Sequence, residues 1–327
     1  MRNYIAFSFG VFLGLAMLVL LIQLQEGVPT SSSKWAHDLY HVKEEHARAA
    51  HSNKLLIVAG SNSLFGISAT ELEEKLHRPT TNFGVHAGLG LSYILERSKG
   101  SLIPGDIVYL PIEYALYQQD AAPSSQLMDF LLARDPEYFH SLPIAHQILG
   151  YATVSFGRIF EGLSGGSDRY QGRSAKVYNV GNVSPSGDQI RNSLEQAMSY
   201  TARLKGLQPK DIGNGKISEY SKSVLRQYFS WARENNICIV GAPPNLMYFE
   251  EYDSERFLDF FDEIVDFYRA EGVAFAGRPV AYLLPDSYFF DTEYHLNETG
   301  VAHRTRLTVR DLAGRMDGYC SYDAARY

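Results

Sequence analysis

From Asn3 to Gln25 the chain carries no charged side chain, and residues 4–22 read YIAFSFGVFLGLAMLVLLI. At about 1.5 Å per residue such a run spans about 30 Å, the thickness of a hydrocarbon core. A cleaved signal peptide would have a shorter apolar run and a small-x-small site after it, and EGVPTSSSKW offers no such site. The pattern therefore predicts an uncleaved membrane anchor over residues 1–25. Arg2 is the only basic side chain ahead of the run, and Lys34 follows it; a short amino terminus kept inside and an exported remainder is the expected arrangement. A second apolar stretch, residues 145–163, contains His146 and Arg158, which makes it an amphipathic helix at best.

After a polar linker (26–33) and a charged helical stretch (34–50), the pattern alternates. Segments at 54–60, 79–84, 105–114, 237–245 and 273–277 read as strands, and the unbroken apolar run at 54–60 fits burial on both faces of a parallel sheet. Between them lie segments of helical period at 69–76, 89–100, 217–236 and 254–272, with a closing helix at 299–315. Five strands alternating with helices predict an α/β fold, a three-layer α/β/α domain with a five-stranded parallel sheet. The rhythm lapses between about 115 and 215, a stretch with helical pieces and a Gly/Ser-rich loop at 162–174. The expected organisation is an anchor (1–25), a linker and helix (26–53), and an α/β domain (54–327) with a helical insertion at about 115–215.

Composition narrows the function more than the fold. The 327 residues are 45% apolar, enough for a sizeable core, and the formal charge of −7 argues against a nucleic-acid footprint. Two cysteines, Cys238 and Cys320, exclude a disulfide scaffold and a Cys-rich zinc site, although one bridge is arithmetically possible. Cys238 lies in an apolar run and reads as a small buried hydrophobe. Tyrosine (22) and phenylalanine (18) are abundant, which suits a carbohydrate-handling surface and equally a filled core. His37, His41, His46 and His51 fall along one helical stretch. Only His37 and His41 share an i,i+4 face and no third ligand is apparent, so a solvated helix face is the reading, and neither metal nor cofactor is expected. Asn182 and Asn297 open glycosylation-type triplets, which also arise by chance.

In an open parallel sheet, sites form beyond the C-terminal ends of the strands. The first strand runs into Gly60-Ser61-Asn62-Ser63, where a serine on a sharp strand-to-helix turn is placed as a nucleophile would be. The same four residues also fit an ordinary Asn/Ser turn with a helix cap. The second strand runs into NFGVHAGLG (82–90), whose glycines let the backbone approach a ligand and aim N–H groups at an oxyanion. Near the end, FFDTEYHLNETG (289–300) places Asp291 four residues before His295. A catalytic serine needs an imidazole base oriented by a carboxylate, and one loop here carries both. Asn82 and Asn245 end strands and are open to turn roles or to orienting substrate.

A serine after strand one, glycines after strand two and an Asp/His pair near the end occur in an order that resembles the SGNH (GDSL-like) hydrolase superfamily. The resemblance covers about residues 55–315 apart from the middle segment. Its GDS block corresponds to Ala59-Gly60-Ser61, its glycine block to residues 82–88 and its C-terminal block to Asp291 through His295. It implies Ser61 as nucleophile, Asp291 with His295 as the base pair, and the amides of Ser61 and of Gly88 or Gly84 as oxyanion donors. Asn62, Asn82 and Glu113 are the implied substrate contacts. The chain departs from the blocks in three places: Ala-Gly stands for the first Gly-Asp, the last block is one residue longer, and Glu113 stands near the place of the third block's asparagine.

A single anchor with an exported domain resembles the membrane-anchored subgroup of DltD and the alginate O-acetylation accessory proteins. That resemblance implies a bacterial inner-membrane protein with a periplasmic or extracellular domain. It also implies a membrane-bound O-acyltransferase as partner and an exported polysaccharide or envelope polymer as substrate. Two functions are thus expected to compete: a serine acyltransferase or esterase, and a non-catalytic subunit of a polymer-modification or export complex. A nucleotide-binding α/β domain explains the alternation alone, since no GxGxxG or Walker loop follows the first strand.

Overall fold

The computed structural model describes residues 2–51, 53–171 and 174–321. They fall into two compact units, one drawn from Met1–Asp38 and Ala121–Lys176, the other from Leu39–Asp120 and Val177–Tyr327.

The larger unit is built on a five-stranded, wholly parallel sheet. Its strands are β1 (Leu55–Ile57), β2 (Thr80–Asn82), β3 (Ile107–Leu110), β4 (Cys238–Gly241) and, after a short β5 (Leu246–Met247), β6 (Ala274–Phe275). The order is β2-β1-β3-β4-β6, with Leu55 opposite both Thr80 and Ile107, and Ile107 opposite Cys238. A parallel pair of β5 with β7 (Leu283–Leu284) forms a separate two-stranded ribbon. The first four strands are buried along their whole length, as the apolar runs of β1, β3 and β4 require, while β2 buries Thr80, Thr81 and Asn82. Leu55, Ile57, Tyr109 and Val240 pack with Ile67 and Leu72 and with Leu312 of the last long helix. Each strand is shorter than the segment expected for it, because the residues beyond it leave the ladder to build loops.

The helices that separate the strands are Ala69–Leu76, Leu91–Lys99, Glu219–Glu234, Glu255–Ala270 and Glu298–Leu312. Serine caps start two of them: Ser68 accepts from the Glu71 amide and Ser218 from the Ser221 amide. The closing helix ends at Leu312, earlier than its pattern predicts, and a short helix, Met316–Cys320, follows. That helix corrects the reading of Cys238 as an unpaired hydrophobe. Cys238 is buried but bridged to Cys320, 82 residues away, with 5.3 Å between Cα atoms. Closing a loop of that length stabilises a fold by about 4.5 kcal/mol in the chain-entropy treatment.

The smaller unit begins with the apolar helix Arg2–Gln23, long and apolar enough to cross a membrane. The expected linker is short, since the helix Ser31–Ala49 already starts at Ser31. Ser125–Arg134, Pro136–Ser141, Ile144–Thr153 and Phe156–Leu163 complete the unit's helices. Residues 145–163 are therefore two helices, not one. Val154 turns to extended backbone, and the Ser155 side chain accepts from the Arg158 amide to start the second. Of the loop expected at 162–174, residues 172 and 173 lie outside the described residues.

Candidate active site

With β1 central and β2 and β3 on either side of it, the chain reverses its direction of sheet growth between β1 and β3. Ligands of such sheets bind beyond the carboxyl ends of the strands at that point. Two of the three site segments start there. β1 leads through Gly60 into the helical turn Ser61–Leu64, and β3 leads through Pro111 to Glu113. The third is the 289–297 loop before the last long helix, which Asn297 caps by accepting from the Gly300 amide.

These segments bring Ser61, His295 and Asp291 together in one hydrogen-bonded line. His295 Nε2 is 2.9 Å from Ser61 Oγ, and His295 Nδ1 is 2.7 Å from Asp291 Oδ1. Asp291 accepts only, so Nδ1 carries the proton and Nε2 is left to accept from the serine. Asp291 is 1% exposed and His295 6%, whereas Ser61 is half-buried and so reachable. Burial by itself pushes the Asp291 carboxyl up. Hydrogen bonds from His295 and Tyr178, with the His295 charge, outweigh burial and hold it below the ordinary carboxylate value.

The imidazole is fixed from its face as well as from its edge. It stacks on Phe65, 4.1 Å between centroids and 10° from parallel. Its main-chain N–H donates to Thr292 Oγ1 at 3.1 Å, and its carbonyl accepts from the Phe290 amide at 2.7 Å. The Tyr178 hydroxyl donates to the second Asp291 oxygen and lies 3.4 Å from His295 Nδ1.

Asn62, Asn82 and Glu113 differ from the expectation of substrate contacts, because all three are buried and act on the nucleophile turn. Glu113 accepts the Gly60 and Asn62 amides, one on each carboxylate oxygen at 3.0 Å. The amide between them, that of Ser61, has no protein acceptor among the described residues. Asn62 donates to the Pro111 carbonyl at 2.9 Å. Asn82 donates to the Ser63 and Ile67 carbonyls and to Asp188, tying β2 to the helical turn. Glycine at 60 is a steric requirement: a Cβ there would lie 2.6 Å from the Ala87 nitrogen and collide with Glu113.

The two glycine amides also differ from the expectation. Gly84 N–H donates to Asn82 Oδ1 at 3.2 Å, and Gly88 N–H to His86 Nδ1 at 2.8 Å. Both are held by side chains of their own loop. His86 is thereby fixed with its proton on Nε2, and burial, then the neighbouring His295, push its imidazole below the ordinary value.

One residue outside the set expected from the sequence connects the two halves of the site. Arg304, fully buried on Glu298–Leu312, donates to the Asn62 carbonyl at 2.8 Å and to Asn62 Oδ1 at 2.9 Å. It also donates to Asn245 Oδ1, while Asn245 Nδ2 donates to the Tyr294 carbonyl at 2.8 Å, one residue before the base. Burial lowers the Arg304 pKa to about 10, so the group stays cationic at neutral pH. A signal did exist: Gly300, Arg304 and Thr308 recur at i,i+4 on the helix face turned inward, where a lone cation must have acceptors. Asn245 therefore orients the loop. Asn297 is 1% exposed and donates to the Ser287 carbonyl, so its triplet is not presented for glycosylation.

Among the described residues no three His, Cys, Asp or Glu side chains come together to hold a metal ion. His46 instead hydrogen-bonds Thr81 at 2.8 Å. No family model, curated protein or solved structure matches the chain. What the arrangement can do is therefore argued from its own geometry. A reachable serine is hydrogen-bonded to an imidazole, which is hydrogen-bonded to a buried carboxylate, the constellation of nucleophilic acyl transfer.

Proposed function

We propose that this chain is a membrane-anchored serine acyltransferase or esterase of the SGNH-like kind, working outside the cytoplasm. The observation that carries the reading is the Ser61–His295–Asp291 line. In it, Ser61 Oγ attacks an acyl carbonyl as its proton passes to His295 Nε2, and the carbonyl pair moves onto the oxygen. Asp291 stabilises the imidazolium. The Ser61 amide is the donor in place for the oxyanion. Collapse of the intermediate breaks the bond to the leaving alcohol, which takes the proton from His295. A sugar hydroxyl or water, deprotonated by His295, then attacks the acyl-serine and returns Ser61 to its start.

Other features fit the same reading. Parallel neighbours need crossovers that cover the sheet faces, so we read the larger unit as three layers, and residues 115–215, of which Ala121–Lys176 belong to the smaller unit, as an insertion in the chain after β3. The Cys238–Cys320 bridge suits an oxidising compartment, and the Arg2–Gln23 helix suits a single-pass anchor in a bacterial inner membrane. A polysaccharide or envelope polymer as acceptor, and a membrane-bound O-acyltransferase as partner, rest on the resemblance of the sequence blocks.

A specific observation favours a second reading, a non-catalytic subunit of a polymer-modification or export complex. The Gly84 and Gly88 amides are already engaged and Glu113 stands near the third-block position, so the oxyanion has fewer donors. Each missing donor costs about 100- to 1000-fold in rate.

Labelling of the full chain in native membranes with a fluorophosphonate, followed by peptide mapping, separates the two readings. A label on Ser61 that His295→Ala abolishes is expected. A folded, membrane-inserted protein that takes no label would overturn the covalent reading in favour of the subunit. That subunit should then function with Ser61→Ala and fail without its anchor helix.

A further inference from the structure

In the smaller unit, two helices present an outward face with no polar side chain. On Phe156–Leu163 the exposed positions are Phe156, Gly157, Phe160 and Leu163, with Phe156 76% and Phe160 69% exposed. On Ile144–Thr153 they are Ile144, Ala145, Ile148, Leu149 and Ala152, with Ile144 71% and Ile148 62% exposed. The charge that sequence reading placed on an amphipathic face is turned inward: Arg158 is 4% exposed. Exposed faces of this composition mark a surface that something covers.

What covers it follows from where these helices are tied. Gln23, the last residue of the apolar helix, donates to the Tyr151 hydroxyl at 3.1 Å. Arg158 donates to the Gln25 and Val28 carbonyls at 3.0 and 3.1 Å and lies 3.1 Å from Asp129. Glu26 is 3.0 Å from His140 on Pro136–Ser141. Both apolar faces are thus held within about one or two turns of the point where the span ends, the level at which a chain leaves the hydrocarbon for the headgroups.

We infer that Ile144–Thr153 and Phe156–Leu163 are interfacial helices, whose exposed Ile, Leu and Phe side chains enter the headgroup–acyl boundary of the leaflet beside the anchor. This rests on the reading of Arg2–Gln23 as a membrane span. Interfacial helices bury such side chains to about 5–10 Å. Residues 145–163 are then neither a second span nor a soluble helix. They form a foot that, with the anchor, fixes the smaller unit on the membrane at two places.

The test uses the full chain in phosphatidylethanolamine–phosphatidylglycerol liposomes, labelled with an environment-sensitive fluorophore at single introduced cysteines. The native cysteines, paired in the Cys238–Cys320 bridge, do not compete for the label. Labels at Ile148→Cys and Phe160→Cys are expected to blue-shift, to lose emission with brominated acyl chains and to resist aqueous iodide. A label at Ser230→Cys, on an exposed polar face of Glu219–Glu234, is expected to behave oppositely. A label at Leu13→Cys separates the two ideas. If Leu13 is quenched by brominated lipid while 148 and 160 are quenched by iodide, the anchor stands and the foot is overturned. If 148 and 160 are shielded from both quenchers, protein rather than lipid covers them, and the foot is again overturned. If the Leu13 label is itself in water, the anchor reading falls and takes the foot with it.

Discussion

Two amphipathic helices are built in opposite senses. In Glu219–Glu234, Leu225, Tyr228 and Phe229 point inward, and the exposed positions are Glu219, Ser223, Arg226, Gln227, Ser230, Arg233 and Glu234. In Phe156–Leu163 the arginine points inward and the phenylalanines outward. The first follows the rule for a helix covering a core in water. The second obeys the same physics with a different surrounding. A charged group is buried only when it is paired, and Arg158 finds Asp129 and the carbonyls of Gln25 and Val28. Large apolar groups left outside gain only if their surrounding is not water. Periodicity alone identifies an amphipathic helix in both cases and does not say which face is the inner one.

Phenylalanine truncation gives the largest contrast. Phe229 is 1% exposed, so Phe229→Ala should cost about 3–5 kcal/mol through lost transfer and the cavity left behind. Phe160→Ala should change the stability of the detergent-solubilised chain by no more than about 0.5 kcal/mol. Urea unfolding of the two variants in parallel measures both, and equal losses would mean that Phe160 is packed on protein. Arginine replacement reverses the ranking. Arg158→Met strips donors from Asp129, Gln25 and Val28 and should cost about 3 kcal/mol. Arg226→Met removes a half-exposed pair with Glu271 and should cost about 1 kcal/mol or less. Comparable midpoints for the two arginine variants would break the contrast.

The same distinction separates what was legible in the sequence from what was not. All five sheet strands appear within the segments expected for them: β1, β3 and β4 through apolar runs buried on both faces, β2 (Thr-Thr-Asn) through its place in the alternation. Ser61, Asp291 and His295 could be singled out because each sits in a short local block. The residues that fix them could not, because their roles exist only after folding. Tyr178 reaches Asp291 from a stretch without periodicity, and Arg304 acts through Asn62 and Asn245, hundreds of positions and tens of positions away. Glu113 stands near the site at its strand end, but only the folded turn shows that it is buried and accepts two amides. The break at Val154 and Ser155 was within reach: a serine three residues before Arg158 is a helix cap signal.

Buried cations sharpen the comparison further, since Arg158 of the smaller unit and Lys43 of the larger are satisfied differently. Arg158 has the carboxylate of Asp129 beside it. Lys43, on the helix Ser31–Ala49, donates to two main-chain carbonyls, of Asn82 at 2.7 Å and Gly187 at 2.6 Å, and makes no ion pair among the described residues. Burial outweighs the distant attraction of Asp188 and lowers the Lys43 pKa from 10.5 to about 7. The sign follows from proton counting. Between those two values the unfolded chain holds a proton that the folded chain does not, so stability from this group rises with pH across that window. It is at its lowest, and flat, below about pH 7, where both states are protonated. The difference in urea-unfolding free energy between the native chain and Lys43→Met should therefore rise by at most about 1.4 kcal/mol per pH unit above neutrality. Taking the difference removes other titrating groups that the substitution leaves alone. A difference that stays flat from neutral pH upward would show that the Asn82 and Gly187 carbonyls stabilise the ammonium as well as a carboxylate does. The contrast between the two buried cations would then disappear.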